Sequence, residues 1–390
     1  MNIGFISRKI GLGDYTILEK YSSLEELIAK ELAKPVDFKG TETKYGEVKP
    51  WPNNLSFTLE ERIKRFINYN SEIEKIGKAN LPDDEYEILK KKIWKKFLVK
   101  EIDQNKFFHA SCFSDAQIKL RLSYFWLNHF TVGSVDSKSD QLIGDYWENT
   151  IINGLDGKFN DLLFFATCHP AMQIYLDNVH NIGPNSPKGK KGRNYGINDN
   201  LARELLELHS VSPAANYTEN DIKNCAMILT GWGNTLWRLW KNKPKDFRAH
   251  WNTYLAEPGI KKVLGKTFPS GKEGLRELSD YLAKHPNTVD YISRKLVRHF
   301  CGPTEKQETI DSVKNKWIET DGDLTEIHKI LLTHAIKSES KIFLWPETWL
   351  FQALRMTGAR LIAGFGDIGK RDMGYFLDEP RYIMEELGQD

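Results

Sequence analysis

Asn198-Asp199-Asn200-Leu201-Ala202-Arg203-Glu204-Leu205-Leu206-Glu207-Leu208-His209 is the stretch on which the reading of this chain turns. At about 100° per residue, Asn200, Arg203, Glu204 and Glu207 fall within roughly a third of a helix circumference. Leu201, Ala202, Leu205, Leu206 and Leu208 lie opposite. One flank anchors a helix; the other carries two carboxylates, a guanidinium and an amide. A solvated surface helix has the same pattern, so amphipathicity alone assigns no function. Asn198 or Asp199 is placed to cap the first turn. Arg203 and Glu207 have the spacing of an i,i+4 ion pair, worth about 0.3–0.5 kcal/mol when exposed. Glu204 and Glu207, three positions apart, can hold a divalent cation or divide into acid and base. His209 falls on the leucine side, where a core histidine with one satisfied nitrogen is expected.

Working outward, helical periodicity dominates. Apolar residues at helical spacing predict helices over residues 16–32, 59–75, 83–102, 114–130, 160–179, 218–230, 273–283, 288–300, 305–319 and 324–338. Strand-like alternation is rare, and residues 259–268 are the best candidate for a short hairpin. The fold class is therefore all-α or nearly so: an irregular multi-helix globular architecture with long loops and one candidate β-hairpin, without internal repeats. Residues 181–199, rich in Gly, Pro, Asn and Lys and including Arg193, predict an exposed basic loop. Residues 234–258 form a second irregular region with Trp237, Trp240 and Trp251, closely following Trp232. Both flank the polar-faced helix and could wall a cleft beside it; simple connection explains the basic loop equally well.

Composition excludes several classes. The 390 residues are 40% hydrophobic and 28% charged, which describes a globular rather than a disordered chain. Lysines and arginines number 55 against 53 acidic residues, a net charge of +2, so nothing pulls the chain generally toward nucleic acid or an anionic membrane. Cys112, Cys168, Cys225 and Cys301 are scattered, without a Cys-x-x-Cys pair, which argues against a cysteine zinc site or a disulfide framework and leaves one or two disulfides open. The first nine residues lack the apolar core of a secretory signal, and no run approaches the ~20 apolar residues that span a bilayer. The expectation is a soluble chain with no signal peptide.

Other polar constellations carry two readings each. Asn128-His129, bracketed by Trp126-Leu127 and Phe130, can hold a ligand or metal from a helix end, or simply satisfy the helix dipole. His169-Pro170 resembles a helix start, and His285-Pro286-Asn287-Thr288 repeats that logic. Asp177-Asn178 with His180 suits a turn or a ligand. Thr218, with Asp221 three residues on, is a near capping box, and Gly231 suits a left-handed helix end. No phosphate-binding Gly-x-x-x-x-Gly-Lys-Ser/Thr, His-Glu-x-x-His or Gly-x-Ser-x-Gly signature is present. Gly11 and Gly13 are only a Gly-x-Gly fragment. Cofactor and metal dependence stay unassigned.

Several segments taken in order resemble the bacterial family catalogued as domain of unknown function 1800. They are Arg8-Lys9-Ile10-Gly11-Leu12-Gly13, Phe125-Trp126-Leu127-Asn128-His129-Phe130, His169-Pro170-Ala171-Met172 with Tyr175-Leu176-Asp177-Asn178, and residues 198–209. Tyr217-Thr218, Leu229-Thr230-Gly231-Trp232, Phe247-Arg248-Ala249, Lys262-Val263-Leu264-Gly265-Lys266 and His285-Pro286 follow. The resemblance implies a largely helical protein whose biochemistry is not established. It also implies a sulfatase-like companion protein and, for many members, export. It treats residues 1–390 as one unit, with an N-terminal helical part (1–105) and a motif-bearing part (106–390). Where the family tends to show His-Glu-Pro-Gly, this chain has Ala256-Glu257-Pro258-Gly259, after a local insertion with His250 and Asn252. The end, residues 384–390, resembles the lead-in to a Pro-Pro and Gly-Trp segment that is not present, so a missing C-terminal element is expected.

Two functions compete on these residues. One is an enzyme or ligand binder with a polar cleft, His129, Arg203, Glu204 and Glu207 acting catalytically and Asn128, Asp177, Asn178 and Asn200 binding the ligand. The other is a non-catalytic partner-binding or assembly protein that uses the tryptophan-rich region and acts with the sulfatase-like companion. Neither reading involves nucleic acid or a transmembrane segment.

Overall fold

The computed structural model describes residues 3–14, 21–43, 46–192, 196–233, 235–304 and 306–357. In chain order the helices are α1 (Ile3–Ile10), α2 (Leu24–Ala33), α3 (Leu59–Lys78), α4 (Asp83–Phe97), α5 (Lys100–Phe113) and α6 (Gln117–His129). The single turns α7 (Ser137–Asp140) and α8 (Ile143–Asp145) lead into a π-helix, Tyr146–Ile152. Then come α9 (Phe159–Cys168), α10 (Pro170–Tyr175), α11 (Asn200–Glu207), α12 (Glu219–Leu229) and α13 (Leu236–Asn242). The series ends with α14 (Lys272–Lys284), α15 (Pro286–Cys301), α16 (Gln307–Glu319), α17 (Leu324–Lys337) and α18 (Pro346–Thr357). The expected mostly helical class holds. Among the described residues strands occur only as two antiparallel hairpins, β1 (Thr41–Thr43) with β2 (Gly46–Val48) and β3 (Lys261–Val263) with β4 (Lys266–Phe268). The second lies within residues 259–268 as expected; the first carried no alternating pattern to announce it.

Departures from the expected boundaries have local causes. The single helix expected over 83–102 is two, because Leu98 turns extended so that Leu98 and Val99 become buried. Gln141 stabilises the break: its side-chain carbonyl accepts the Val99 N–H at 2.7 Å and its amide donates to the Phe97 carbonyl. The helix expected over 160–179 breaks at His169, since Pro170 disfavours the helical conformation in the residue before it. The His169 ring then caps the next helix, Nδ1 accepting the Ala171 N–H at 3.1 Å. His285 does the same for α15 through the Asn287 N–H, so both His-Pro pairs are helix starts as expected. Thr218 and Asp221 form the capping box of α12, and Gly231 follows that helix at φ +90°. A Cβ there would sit 2.6 Å from Trp251 Nε1. Of the first expected helix, residues 16–20 lie outside the described residues, as do Arg193 and the C-terminal 384–390 segment.

Among the described residues, the larger of two hydrophobic clusters runs through the molecule, the smaller gathering Phe108, Tyr124, Trp147 and Phe351. The larger joins Ile6, Leu27, Ile63 and Leu98 to Trp126, Leu163, Leu205, Leu229, Leu278, Leu296 and Leu331, so residues on both sides of position 105 contribute to it. Helix α2 packs on α6 and α17, α3 on α13, and α18 on α5. Each fully buried large apolar side chain contributes roughly 1.5–3 kcal/mol. The four cysteines are free, and three of them are buried. No helix among the described residues is long and apolar enough to cross a membrane.

A buried polar network ties the N-terminal helices to this core. Arg62 of α3 is 1% exposed and makes a paired contact to Asp103 of α5, Nη1 to Oδ2 at 2.5 Å and Nη2 to Oδ1 at 2.8 Å. Burial works against the guanidinium charge, and the Asp103 carboxylate more than compensates. Gly144 is required beside this pair: a Cβ there would lie 2.3 Å from Asp103 Cγ. Next along, Asp145 accepts from His169 Nε2 at 3.1 Å. Burial pushes the Asp145 carboxyl up, but His169 and Arg62 outweigh it and hold it below the usual range. Asp103→Asn leaves Arg62 buried without its counter-charge, and the expected cost is about 3–5 kcal/mol in urea unfolding. Gly144→Ala should also destabilise by pressing on the same carboxylate. A wild-type midpoint for Asp103→Asn would show that the pair is not holding α3 to α5.

Candidate functional site

The polar flank of α11 divides in two. At its start the helix is capped by Asn198, whose side-chain oxygen accepts the Asn200 N–H at 3.1 Å, while Asp199 makes no such bond. Asp199 instead takes Arg203 at 3.3 Å, and Arg203 also reaches Glu219 at 3.2 Å on the adjoining helix start. The expected Arg203–Glu207 pair is therefore replaced by Arg203–Asp199 and Arg203–Glu219. This group is largely solvated and contributes tenths of a kcal/mol. Asn200 is exposed.

The other half of the flank faces inward. Glu204 and Glu207 are half-buried, and the Glu204 carboxyl is pushed up by burial and by the Glu207 charge. Tyr217 donates its hydroxyl to Glu207 Oε2 at 3.2 Å. Burial and then the Glu207 charge push up the Tyr291 phenol on α15.

Helix α11 ends at Glu207, and the chain turns to bury His209, whose backbone N–H donates to the Glu204 carbonyl. The His209 carbonyl is 3.2 Å from His129 Nε2, and His129 Nδ1 is 3.0 Å from Lys295 Nζ. These contacts fix the tautomer. A lysine nitrogen donates here and a carbonyl only accepts, so Nδ1 carries the lone pair and Nε2 the proton. His129 is thus an uncharged imidazole. It is enclosed by Phe125, stacked at 6.3 Å, and Phe130 at 4.5 Å. Burial holds its pKa far below the usual range, and Lys295 adds to the effect when it is protonated. Burial drives His209 down to about 3, and its buried Nδ1 has no hydrogen-bond partner among the described residues. His209 is a core residue, as expected.

Lys295 is the residue that sequence reasoning passed over as a site. It sits on α15 at the edge of the buried stripe Ile292-Leu296-Val297, half-exposed, with Nζ 5.2 Å from the Tyr291 ring centre. Among the described residues it forms no ion pair, and its one hydrogen bond is to His129. Burial lowers its pKa. The sequence signal was faint: Tyr291 and Lys295 share an i,i+4 edge, a spacing common on exposed helices.

The remaining candidates lie elsewhere or serve the fold. Asn128 is exposed at the end of α6, its carbonyl accepting the Thr131 hydroxyl. Asp177 is exposed at φ +55°. Asn178 is wholly buried, donating to Gln173 and to the Leu229 carbonyl and accepting from Asn181, so it braces α10 against α12. The basic loop is docked as well as exposed: Glu257 accepts the Asn185 N–H at 2.8 Å and its side-chain amide. Trp232 is buried and Trp240 and Trp251 pack against the core, leaving Trp237 exposed. No group of three or more His, Cys, Asp or Glu among the described residues is arranged to hold a metal ion.

A family model described as protein of unknown function (DUF1800) matches residues 21–390. The chain belongs to that family. No curated protein and no solved structure matches it.

The buried neutral imidazoles make stability acid-sensitive. His209, His299 and His328 are held at about 3 by burial, against an ordinary value of 6.5. Between those values the unfolded chain binds more protons than the folded one, so stability is full above about 6.5 and is lost as pH falls toward 3. Each such imidazole contributes about 1.4 kcal/mol per pH unit in that window. Urea midpoints at pH 7, 6 and 5 should fall steeply; a flat series would show that these rings are solvated or charged in the native state.

Proposed function

We propose that this member of the DUF1800 family binds a small polar molecule on the face formed by Lys295, His129, Glu204, Glu207, Tyr217 and Tyr291 and performs acid–base chemistry on it. The observation that carries the reading is Lys295, which turns its amine to an uncharged imidazole instead of a carboxylate. Lysines that serve only the fold are typically solvated or matched by an acid; here the partner offers a lone pair for a proton. The half-buried carboxylates and phenols alongside supply acceptors and donors for a hydroxylated ligand. His129, Glu204 and Glu207 thus keep the roles that the sequence suggested. Arg203 is engaged with Glu219 and Asn178 with the fold, while Asn128, Asp177 and Asn200 remain surface amides and a surface acid.

The partner-binding reading has one observation in its favour, Trp237, 61% exposed on α13. One exposed member of the expected four-tryptophan patch supports a smaller contact than the whole patch, and Trp237→Ala tests it by loss of co-purification with a sulfatase-like companion.

A thermal-shift panel of polyols, hydroxyaldehydes and carboxylates tests the ligand reading. A binder at about a hundredfold excess over its Kd stabilises the fold by about 2.7 kcal/mol. The shift should disappear in Lys295→Met and shrink in Glu207→Gln, and Asp177→Ala should keep it. A response that survives Lys295→Met, or a panel without any response, removes the proposed site.

A further inference from the structure

We infer that Lys295 is an amine nucleophile that forms an imine with the carbonyl carbon of an uncharged, hydroxylated aldehyde, His129 passing the protons. This deepens the ligand-site reading above and rests on it.

The imidazole partner separates this lysine from the buried amines of the chain, of which Lys9 donates to the Ser340 carbonyl. Buried Lys106 meets Glu148 and buried Lys119 meets Asp156, while Lys261 is surrounded by the Glu257, Pro258 and Gly259 carbonyls. Each is matched as an ammonium. Lys295 has three donors if protonated, yet among the described residues a single protein acceptor, His129 Nδ1 at 3.0 Å. A neutral amine suits that setting better: one N–H points at the imidazole and the lone pair remains free. Burial disfavours the ammonium in the same direction. The residue is half-buried rather than wholly enclosed.

The step balances without a redox partner. The Nζ lone pair attacks the carbonyl carbon, and the C=O π electrons become an alkoxide. A proton leaves the nitrogen for His129 Nδ1 and is delivered to that oxygen. The second N–H proton takes the same route: buried His129 is a weak base, so the imidazolium it forms is short-lived and strongly acidic, and it protonates the hydroxyl as that group departs and the nitrogen lone pair closes the C=N bond. The products are an imine and one water. Glu204 and Glu207 repel a second carboxylate, whereas Tyr217, Tyr291 and Glu207 can pair with hydroxyls. The geometry therefore favours a hydroxyaldehyde over a keto acid.

The test treats the full chain with glycolaldehyde and cyanoborohydride at pH 7 and follows each lysine by peptide mass spectrometry. Lys295 should gain a hydroxyethyl group at least severalfold faster than exposed Lys190 and Lys241. Glyoxylate, with the same carbonyl beside a carboxylate, should label Lys295 more slowly than glycolaldehyde does. His129→Phe should slow labelling at Lys295 and leave Lys190 and Lys241 unchanged; the wild-type comparison among lysines stands if that variant does not fold. Equal labelling of Lys295 and the surface lysines overturns the inference, and fast labelling indifferent to His129→Phe overturns the proton-passing role. A thermal shift that depends on Lys295 without trapping sinks the imine and leaves the ligand site; absence of both sinks both.

Discussion

Burial disfavours charge on His129, and much of the local arrangement follows from that constraint. The ring lies between Phe125 and Phe130, away from solvent, with its proton committed to the His209 carbonyl. Ionising it would cost several kcal/mol with no acid nearby to offset the loss. Its free lone pair must therefore find a donor, and Lys295 from α15 supplies it. A lysine drawn toward an imidazole lacks the counter-ion that usually keeps an amine protonated and inert. The same enclosure that stabilises the fold thus yields a reactive amine at its edge.

Two helix ends and the side of a third helix meet to make this possible. Helix α6 stops at His129, α11 stops at Glu207 and turns to bury His209, and α15 passes alongside. Their relative placement depends on elements farther away. Helix α6 packs against the π-helix, whose preceding turn carries Asp145; His169 binds that carboxylate and starts α10. Arg62 and Asp103 lock α3 and α5 against the same region. Polar contacts of this kind add little net stability over apolar packing, but they tolerate only one arrangement.

How much of this the sequence disclosed depends on the range of the interaction. Thr218 with Asp221, the two His-Pro pairs and the hairpin within 259–268 are governed by neighbours a few residues away, and each was legible. The break at Leu98 was hidden because it depends on Gln141, far along the chain. Arg203 was assigned to Glu207 on helix spacing, but Glu219, at the start of another helix, and Asp199 won. In the candidate site, Glu204 and Glu207 stood out by their dense polar flank. Lys295 did not, because a lysine at i,i+4 from a tyrosine looks like any exposed helix edge until His129 is brought beside it. Asn178 was misread for the opposite reason: an amide beside a glycine-rich loop suggests a ligand, yet its hydrogen bonds all go to the fold.

The most direct measurement is a long-range proton–nitrogen NMR spectrum of the imidazoles in the folded chain at neutral pH. The account predicts a neutral His129 ring with its proton on Nε2 and Nδ1 in the acceptor state, perturbed in Lys295→Met. A doubly protonated ring, or a proton on Nδ1, would contradict it, because Lys295 could then neither donate to that nitrogen nor hand a proton to it.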